Sequence, residues 1–396
     1  MTVTLLNTVY APLHIGGADR SVRFLAEALS ARGHNVSVIT LHPAPMPPPT
    51  PINGVTVHYL PLRNLAWPYG KGSLPPWLGA CWHAIDTWNP FAIGDIDAAL
   101  AATAPDVLHT NAISGFSCAV WSRARRRGIP VVHTLRDYYL LHPNNTLFAS
   151  AERYEAVPPV ARLLAAPRKR ATRHVRVVVG NSRYTLVRHL RDGYFPEAAA
   201  HEVIGNIYEP PPQAQAARGA GSDGVVTFGY IGRLDPSKGL ELLIAAFPEG
   251  AGARLRIAGS GTPDYLRYLQ HLAVGKPVDF LGFQGPETFF TAVDVVVVPS
   301  IWQEPLPRVI FEAYAFGRPV IGSRRGGIPE MVDEGRTGWL FDPSEDGALA
   351  RLLETVCQQP AALTAMAPAA REAAQGYRAD VIAARYEAAY AKALEA

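Results

Sequence analysis

Short apolar runs separated by amphipathic stretches recur along the chain. The first, VTLLN at 3–7, reads as a buried strand. ADRSVRFLAEALSARG follows, with Val22, Leu25, Ala26 and Leu29 on one helical face. Further strands are predicted at 35–40, 55–60, 106–110, 129–135 and 175–181, with helices between most of them, notably over 114–127 and 182–191. Short apolar strands alternating with helices of about 10–15 residues imply a parallel sheet covered on both faces.

The periodicity stops over 211–224, PPQAQAARGAGSDG, a stretch of small residues that reads as an interdomain connection. It restarts with strands at 225–232, 253–259, 278–282, 294–300, 319–323 and 338–341 and a helix from about 238, and after 343 it is helical only. The fold class expected is α/β, with two facing Rossmann-like domains, 1–205 and 206–377, and an interdomain cleft at the carboxyl ends of the strands. Residues 61–93 depart from this economy. They hold Trp67, Trp77, Trp82 and Trp88 with Tyr69 and Phe91, a long aromatic loop segment that reads either as a binding lip or as a satellite core under an insertion.

Composition narrows the class. At roughly 150 residues per domain, 396 residues agree with two domains. With 48% hydrophobic and 18% charged residues and a mean hydropathy of +0.04, the chain is too apolar to be disordered. Cys81, Cys118 and Cys357 lie far apart and form no CxxC, which argues against a disulfide scaffold and a cysteine zinc site. No apolar run approaches the roughly 18 residues of a membrane span, and the opening lacks the marks of a signal peptide, so a soluble protein of a reducing compartment, the cytoplasm, is expected. Residues 1–210 carry 20 Lys+Arg against 13 Asp+Glu, whereas 211–396 carry 17 against 21. This asymmetry fits either an anionic partner or a solvated basic face. Two clusters, Arg123, Arg125, Arg126 and Arg127, and Arg168, Lys169, Arg170, Arg173 and Arg176, suit the inner face of an anionic membrane. No nucleic-acid partner is expected.

The candidate chemistry concerns phosphates and sugars. Gly16-Gly17 falls between the first strand and the first helix, where glycines let backbone amides approach a phosphate, although a glycine pair also serves simply to turn the chain. GRLDPSKG at 232–239 directly follows a strand, and its Arg233 and Lys238 can converge on a diphosphate. The spacing of a Walker A loop is absent. In the segment 300–330, Pro305 and Pro307 place a helix start near Pro307, with Glu304 in the loop before it and Glu312 on its second turn. Two carboxylates so separated suit hydroxyl pairs on a sugar and a ribose better than a glycosidase pair flanking one bond. Gly326-Gly327 then offers backbone amides beside a pyrophosphate or hexose.

Gly16-Gly17, GRLDPSKG, the E-x7-E pair Glu304/Glu312 and GGIPE occur in one order along essentially the whole chain, and together they resemble the GT-B glycosyltransferases of family 4. The resemblance implies retaining hexosyl transfer from a UDP- or GDP-linked sugar to a sugar or lipid-linked glycan acceptor. It casts Arg233 and Lys238 as neutralising the donor diphosphate, Glu304 as holding the hexose and Glu312 as holding the ribose, with the amides around Gly17 and Gly327 completing the donor site. It also makes the first domain the acceptor side and 378–396 a helix crossing back to it. No metal or cofactor is required by this reading. Where many members carry T-x-H-D, this chain has Thr134-Leu135-Arg136-Asp137, so Arg136 stands in place of the histidine. An arginine cannot be a general base, but it can pin an anion. Its charge is expected to pair with Asp137, with a carboxylate of the second domain, or with an anionic ligand. His109 and His133 read as buried, hydrogen-bonded supports. The rival readings are a non-catalytic sugar- or nucleotide-binding protein and a nucleotide-sugar epimerase.

Overall fold

Strands apolar on both faces need helices above and below them, and two such sheets form. The computed structural model describes residues 1–13, 17–43, 46–68, 74–142, 145–148, 159–209, 224–249 and 252–396. The chain divides into two compact units. Unit 1 comprises 1–147, 155–207 and 379–396; unit 2 comprises 148–154 and 208–378.

The strands of unit 1 are β1 Thr2–Asn7, β2 Asn35–His42, β3 Thr50–Ile52, β4 Val55–Pro61, β5 Val107–Thr110, β6 Val131–Leu135, β7 Val177–Gly180 and β8 Ala200–Val203. They form one sheet in the order β3-β4-β2-β1-β5-β6-β7-β8, parallel except for the antiparallel edge strand β3. Its helices are α1 Gly17–Ala31, α2 Pro76–Thr87, α3 Ile93–Thr103, α4 Ala119–Arg126, α5 Pro159–Ala171 and α6 Arg183–Arg191. The order reverses between β1 and β5, so the switch point of this sheet lies where Asn7 ends β1 and Asn111 follows β5.

Unit 2 holds β9 Val226–Ile231, β10 Ala253–Ala258, β11 Val278–Gly282, β12 Val295–Val298, β13 Val320–Ser323 and β14 Gly338–Phe341. The order is β11-β10-β9-β12-β13-β14, all parallel, with its switch point between β9 and β12. Its helices are α7 Leu240–Ala246, α8 Pro263–Leu272, α9 Pro286–Thr291, α10 Arg308–Ala315, α11 Ala348–Gln358 and α12 Pro360–Gln375.

The helix α13, Ala379–Glu395, belongs to unit 1. Ile382, Tyr386, Ala389 and Ala393 recur at helical spacing and join the unit 1 core with α1 and the sheet. Tyr390 and Tyr386 reach buried polar groups of the sheet. His109 Nδ1 meets the Tyr390 hydroxyl at 2.8 Å, its Nε2 meets Thr134 Oγ1 at 2.8 Å, and Thr134 Oγ1 meets the Tyr386 hydroxyl at 3.1 Å. Outside the core, Glu387 takes two bonds from Arg32 and one from His34 (2.7, 2.7 and 2.8 Å), and its carboxyl is held at about 2, chiefly by Arg32.

Two expectations change here. Residues 61–93 are not one aromatic loop, because Pro76 opens α2 inside them. Trp82 on that helix is fully buried, with its indole N–H on the Ala66 carbonyl at 2.7 Å, whereas Trp77 and Phe91 remain 67% and 71% exposed. The second basic cluster also loses a member. Arg168 is buried, its Nε on Thr87 Oγ1 (3.0 Å), its Nη1 on the Tyr139 carbonyl (2.6 Å) and its charge beside the buried Asp86 (3.8 Å). Asp86 also accepts the Tyr139 hydroxyl at 2.6 Å. In the first cluster, Arg123 and Arg127 both turn to Asp97 and Arg125 contacts Glu197.

Removing one member of a buried pair leaves the other charge uncompensated. Arg168→Ala is therefore expected to destabilise unit 1 by about 3–5 kcal/mol. Urea titration followed by tryptophan fluorescence measures it, and a loss under 1 kcal/mol would mean that water enters and solvates Asp86.

Candidate functional site

In unit 2 the site is built from the loops after β9 and β12, the two strands flanking its switch point. After β9 the chain runs through Gly232 and Arg233 into a short 3₁₀ turn, Pro236–Lys238. Asp235 caps that turn by accepting the Ser237 N–H at 3.0 Å. The Tyr230 hydroxyl, on the strand itself, donates to the Arg233 carbonyl at 2.7 Å and holds the loop against the sheet. Gly239 then lies at φ +71°, and a Cβ there would sit 2.1 Å from the Pro299 carbonyl oxygen. Only glycine lets these two loops approach so closely. The Ile301 N–H closes the junction by donating to the Ser237 carbonyl at 3.0 Å.

That approach brings Lys238 and Glu304 together. Lys238 Nζ donates to Glu304 Oε1, the Ser300 hydroxyl donates to the same oxygen at 2.9 Å, and the ammonium lies 5.3 Å from the centre of the Trp302 ring. Glu304 is buried, 5% exposed. Arg233 points the other way in character: its side chain is exposed and has no ion pair among the described residues. Glu312, on α10, pairs with Arg308 one turn earlier at 3.2 Å, and the helix begins directly after Pro307.

Gly326 and Gly327 serve differently from the expectation of free amides facing a ligand. The Gly326 N–H donates to Gln303 Oε1 (2.6 Å) and the Gly327 N–H to the Glu304 carbonyl (2.7 Å). Gly326 lies at φ +57°, and a Cβ would fall 2.0 Å from the Glu304 carbonyl oxygen. The pair clamps the backbone that presents Glu304.

In unit 1 the ends of the strands carry asparagines. Asn7 donates to the Val9 carbonyl (2.6 Å) and to Asp19 on α1 (3.3 Å), and its Oδ1 accepts the Ala112 N–H (3.1 Å). Gly17 opens α1; Gly16 lies outside the described residues. Arg136, one residue beyond β6, donates through Nε to Asn111 Oδ1 at 2.9 Å and through Nη1 to Asn206 Oδ1. Asn111 follows β5 and Asn206 follows β8. The expected carboxylate partner is therefore replaced by two neutral amide oxygens, and Asp137 instead accepts the N–H of Tyr139 in its own turn (2.9 Å).

His133 and His109 lie under this cluster and are both buried. His133 Nδ1 shares a 2.9 Å bond with Thr110 Oγ1, which also accepts the Trp121 indole N–H at 3.0 Å. Burial pushes His133 down to about 3 and holds His109 well below the usual histidine range, with the Arg136 charge acting in the same direction. Both rings are neutral supports. Asn111, Asn206, Ser300 and Gln303 belong to these sites, and no motif in the sequence marks them. Their one signal is a polar residue at the end of an apolar run.

Comparison with known proteins agrees with these units. Residues 16–206 match the glycosyl transferase 4-like domain, and residues 213–373 match the glycosyl transferases group 1 family. An uncharacterised 42.6 kDa protein in the cps region of Klebsiella pneumoniae is 32% identical over 331 residues, 84% of this chain and 87% of that protein. The D-inositol 3-phosphate glycosyltransferase of Stackebrandtia nassauensis is 30% identical over 371 residues, 86% of this chain and 78% of that one. Among solved structures, a sucrose-phosphate synthase from Thermosynechococcus elongatus superposes with a TM-score of 0.74 at 22% identity, covering 98% of both chains. Anabaena HepE in complex with UDP gives 0.70 at 21%, covering 98% of this chain and 99% of that one. The fold of these neighbours is GT-B. The chain is a glycosyltransferase and belongs to the group 1 transferases of family 4.

Proposed function

We propose that the protein transfers a hexose from a UDP- or GDP-linked sugar to an acceptor hydroxyl with retention of anomeric configuration, in the synthesis of a surface polysaccharide or glycoconjugate. The observation that carries this reading is the Lys238–Glu304 pair at the switch point of unit 2. Such points, outside the carboxyl ends of parallel strands, are where α/β sheets bind ligands. A diphosphate entering there competes for Lys238 and exposes Glu304 oxygens to sugar hydroxyls, while Arg233 supplies a second cation. Glu312 binds the ribose. As the glycosidic bond breaks, negative charge grows on the leaving diphosphate, where Lys238 and Arg233 stabilise it. That diphosphate also takes the acceptor proton, so no histidine is needed at position 136.

The Anabaena neighbour solved with UDP and UDP-glucose supports a nucleotide-sugar donor. The Klebsiella relative in a cps region supports a role in surface polysaccharide. The acceptor is a sugar or a lipid-linked glycan. Arg126, Lys169, Arg170, Arg173 and Arg176 remain exposed on unit 1 and favour attraction to an anionic membrane surface carrying it. No helix among the described residues is long and apolar enough to cross a membrane.

A thermal-shift screen of UDP- and GDP-sugars is expected to single out one base, since ligand at a hundred times Kd stabilises the native state by about 2.7 kcal/mol. NMR of the product from an α-linked donor should then give an α-linked glycoside. A β-linked product would overturn retention, and no shift with any nucleotide-sugar or free nucleotide would overturn the donor site.

A further inference from the structure

Beside the ends of β5 and β6, unit 1 contains a cavity of about 70 Å³, lined by Asn111, Ser114, His133, Arg136, Asp137 and Asn145 among others. That is room for several waters or one compact polar group. Three polar atoms of its lining residues are buried without a hydrogen-bond partner: Asn111 Nδ2, Ser114 Oγ and Asn145 Oδ1. Buried polar groups are nearly always satisfied, so three around one cavity mark a place for water or for a polar group of a ligand that displaces it. Arg136 adds charge. Its Nε and Nη1 are held by the amide oxygens of Asn111 and Asn206, which fixes the guanidinium plane without neutralising it. Because the Asn111 oxygen accepts from Arg136, its nitrogen is the end left without a partner. Neither neutral histidine offers a counter-charge, and the one acid of the lining, Asp137, bonds within its own turn, where Oδ1 accepts the Tyr139 N–H, and not to Arg136. Asn145 presents its oxygen, or after a flip of the amide its nitrogen.

We propose that this cavity binds an oxyanion, a carboxylate or phosphate, carried by one of the two substrates of the transfer. Arg136 supplies the charge and Asn111 and Ser114 the directional donors, while Asn145 takes a neighbouring hydroxyl. The inference rests on the glycosyl-transfer reading and adds a substrate class to it. The anion is either the carboxylate of a hexuronate donor or an acidic group on the acceptor.

Isothermal titration separates these sources. One arm compares UDP-glucose with UDP-glucuronate and GDP-mannose with GDP-mannuronate. The other compares glucose with glucose 6-phosphate and with glucuronate in the presence of UDP or GDP. In at least one arm the anionic member is expected to bind tenfold or more tightly, with the preference declining as salt rises. Arg136→Gln should reduce that preference to near unity, and Ser114→Ala, which keeps the Cβ and leaves little reason to misfold, should reduce it at least threefold. Circular dichroism of both variants establishes that they are folded. Equal binding of every neutral and anionic pair would overturn the proposal, as would a preference that survives both substitutions. Nucleotide-sugar binding and transfer with no anion preference would defeat this inference alone. Anion discrimination by a protein that binds no nucleotide would defeat the transferase reading and leave the cavity assigned.

Discussion

Lys238→Ala is expected to lower kcat/KM for glycosyl transfer by about 10²–10³-fold, the range seen when one preorganised group is withdrawn from developing negative charge. The ammonium is held at the switch point beside Glu304 and Trp302, so it stands where an arriving diphosphate can draw it from the carboxylate. Charge on the leaving group is larger in the transition state than in the bound donor, so the loss should fall more on kcat than on KM. The substitution also strands the buried Glu304 carboxylate with the Ser300 hydroxyl as its remaining side-chain donor, so the melting temperature should fall. Adding Glu304→Gln removes the stranded charge. The double variant should recover stability without recovering turnover, which separates the two roles of the pair. Steady-state kinetics with the cognate donor settles the matter: an unchanged kcat/KM for Lys238→Ala would take this lysine out of the reaction.

The strands were legible because residues such as Val295–Val298 are apolar on both faces and admit no solvent-facing alternative. Helix starts were less so. The stretch predicted helical from 114 begins its helix only at Ala119, because Gly115 and Ser117 adopt φ of +89° and +74°. β3 and β8 leave no apolar run to read, being short edge strands of polar or proline-containing sequence, TPI and AHEV. In the site, Lys238 and Glu304 could be read from spacing because each follows a strand that the pattern marks. Asn111, Arg136 and Asn206 converge only because β5, β6, β7 and β8 lie side by side in the sheet, a long-range fact that no local window contains. Gly326-Gly327 looked like a ligand cradle. A glycine pair carries no sign of whether its neighbour is a phosphate or, as here, a carbonyl of its own chain.

Acid should unfold unit 1 well before unit 2. Unit 1 buries three neutral histidines: His109, held well below the usual range, His133 at about 3 and His189 at about 4, each chiefly through burial. In the unfolded chain these rings titrate near their ordinary value of about 6.5. The native form is therefore fully favoured above pH 6.5. As pH falls toward 4, the unfolded state takes up protons that the folded state refuses, and stability is lost at about 1.4 kcal/mol per pH unit per histidine. Three such groups give roughly 4 kcal/mol per pH unit, enough to exhaust a typical domain stability of about 5–15 kcal/mol within a few units. Unit 2 has the single, exposed His271. Urea titrations at pH 7, 6 and 5 should show one transition moving steeply to lower denaturant while a second stays nearly fixed. Trp121, 4.9 Å from the His133 ring, makes the unit 1 transition visible in fluorescence. If the two transitions shift together, or neither shifts, the rings are not buried in their neutral form. His189→Phe should flatten the slope by about a third.

The position of α13 has a consequence for the order in which the molecule is made. A ribosome delivers β1–β8 first, but the tyrosines that satisfy His109 and Thr134 lie beyond residue 378. Synthesis at about 5–20 residues per second separates the two by roughly ten seconds or more. During that interval the nascent sheet exposes the apolar bed meant for Ile382, Tyr386 and Tyr390, while residues 208–378 can already complete their own core. Unit 2 is thus positioned to fold first and unit 1 to close last, although it leads the sequence. A nascent chain paused before residue 379 is the natural client of a chaperone that binds exposed apolar surface.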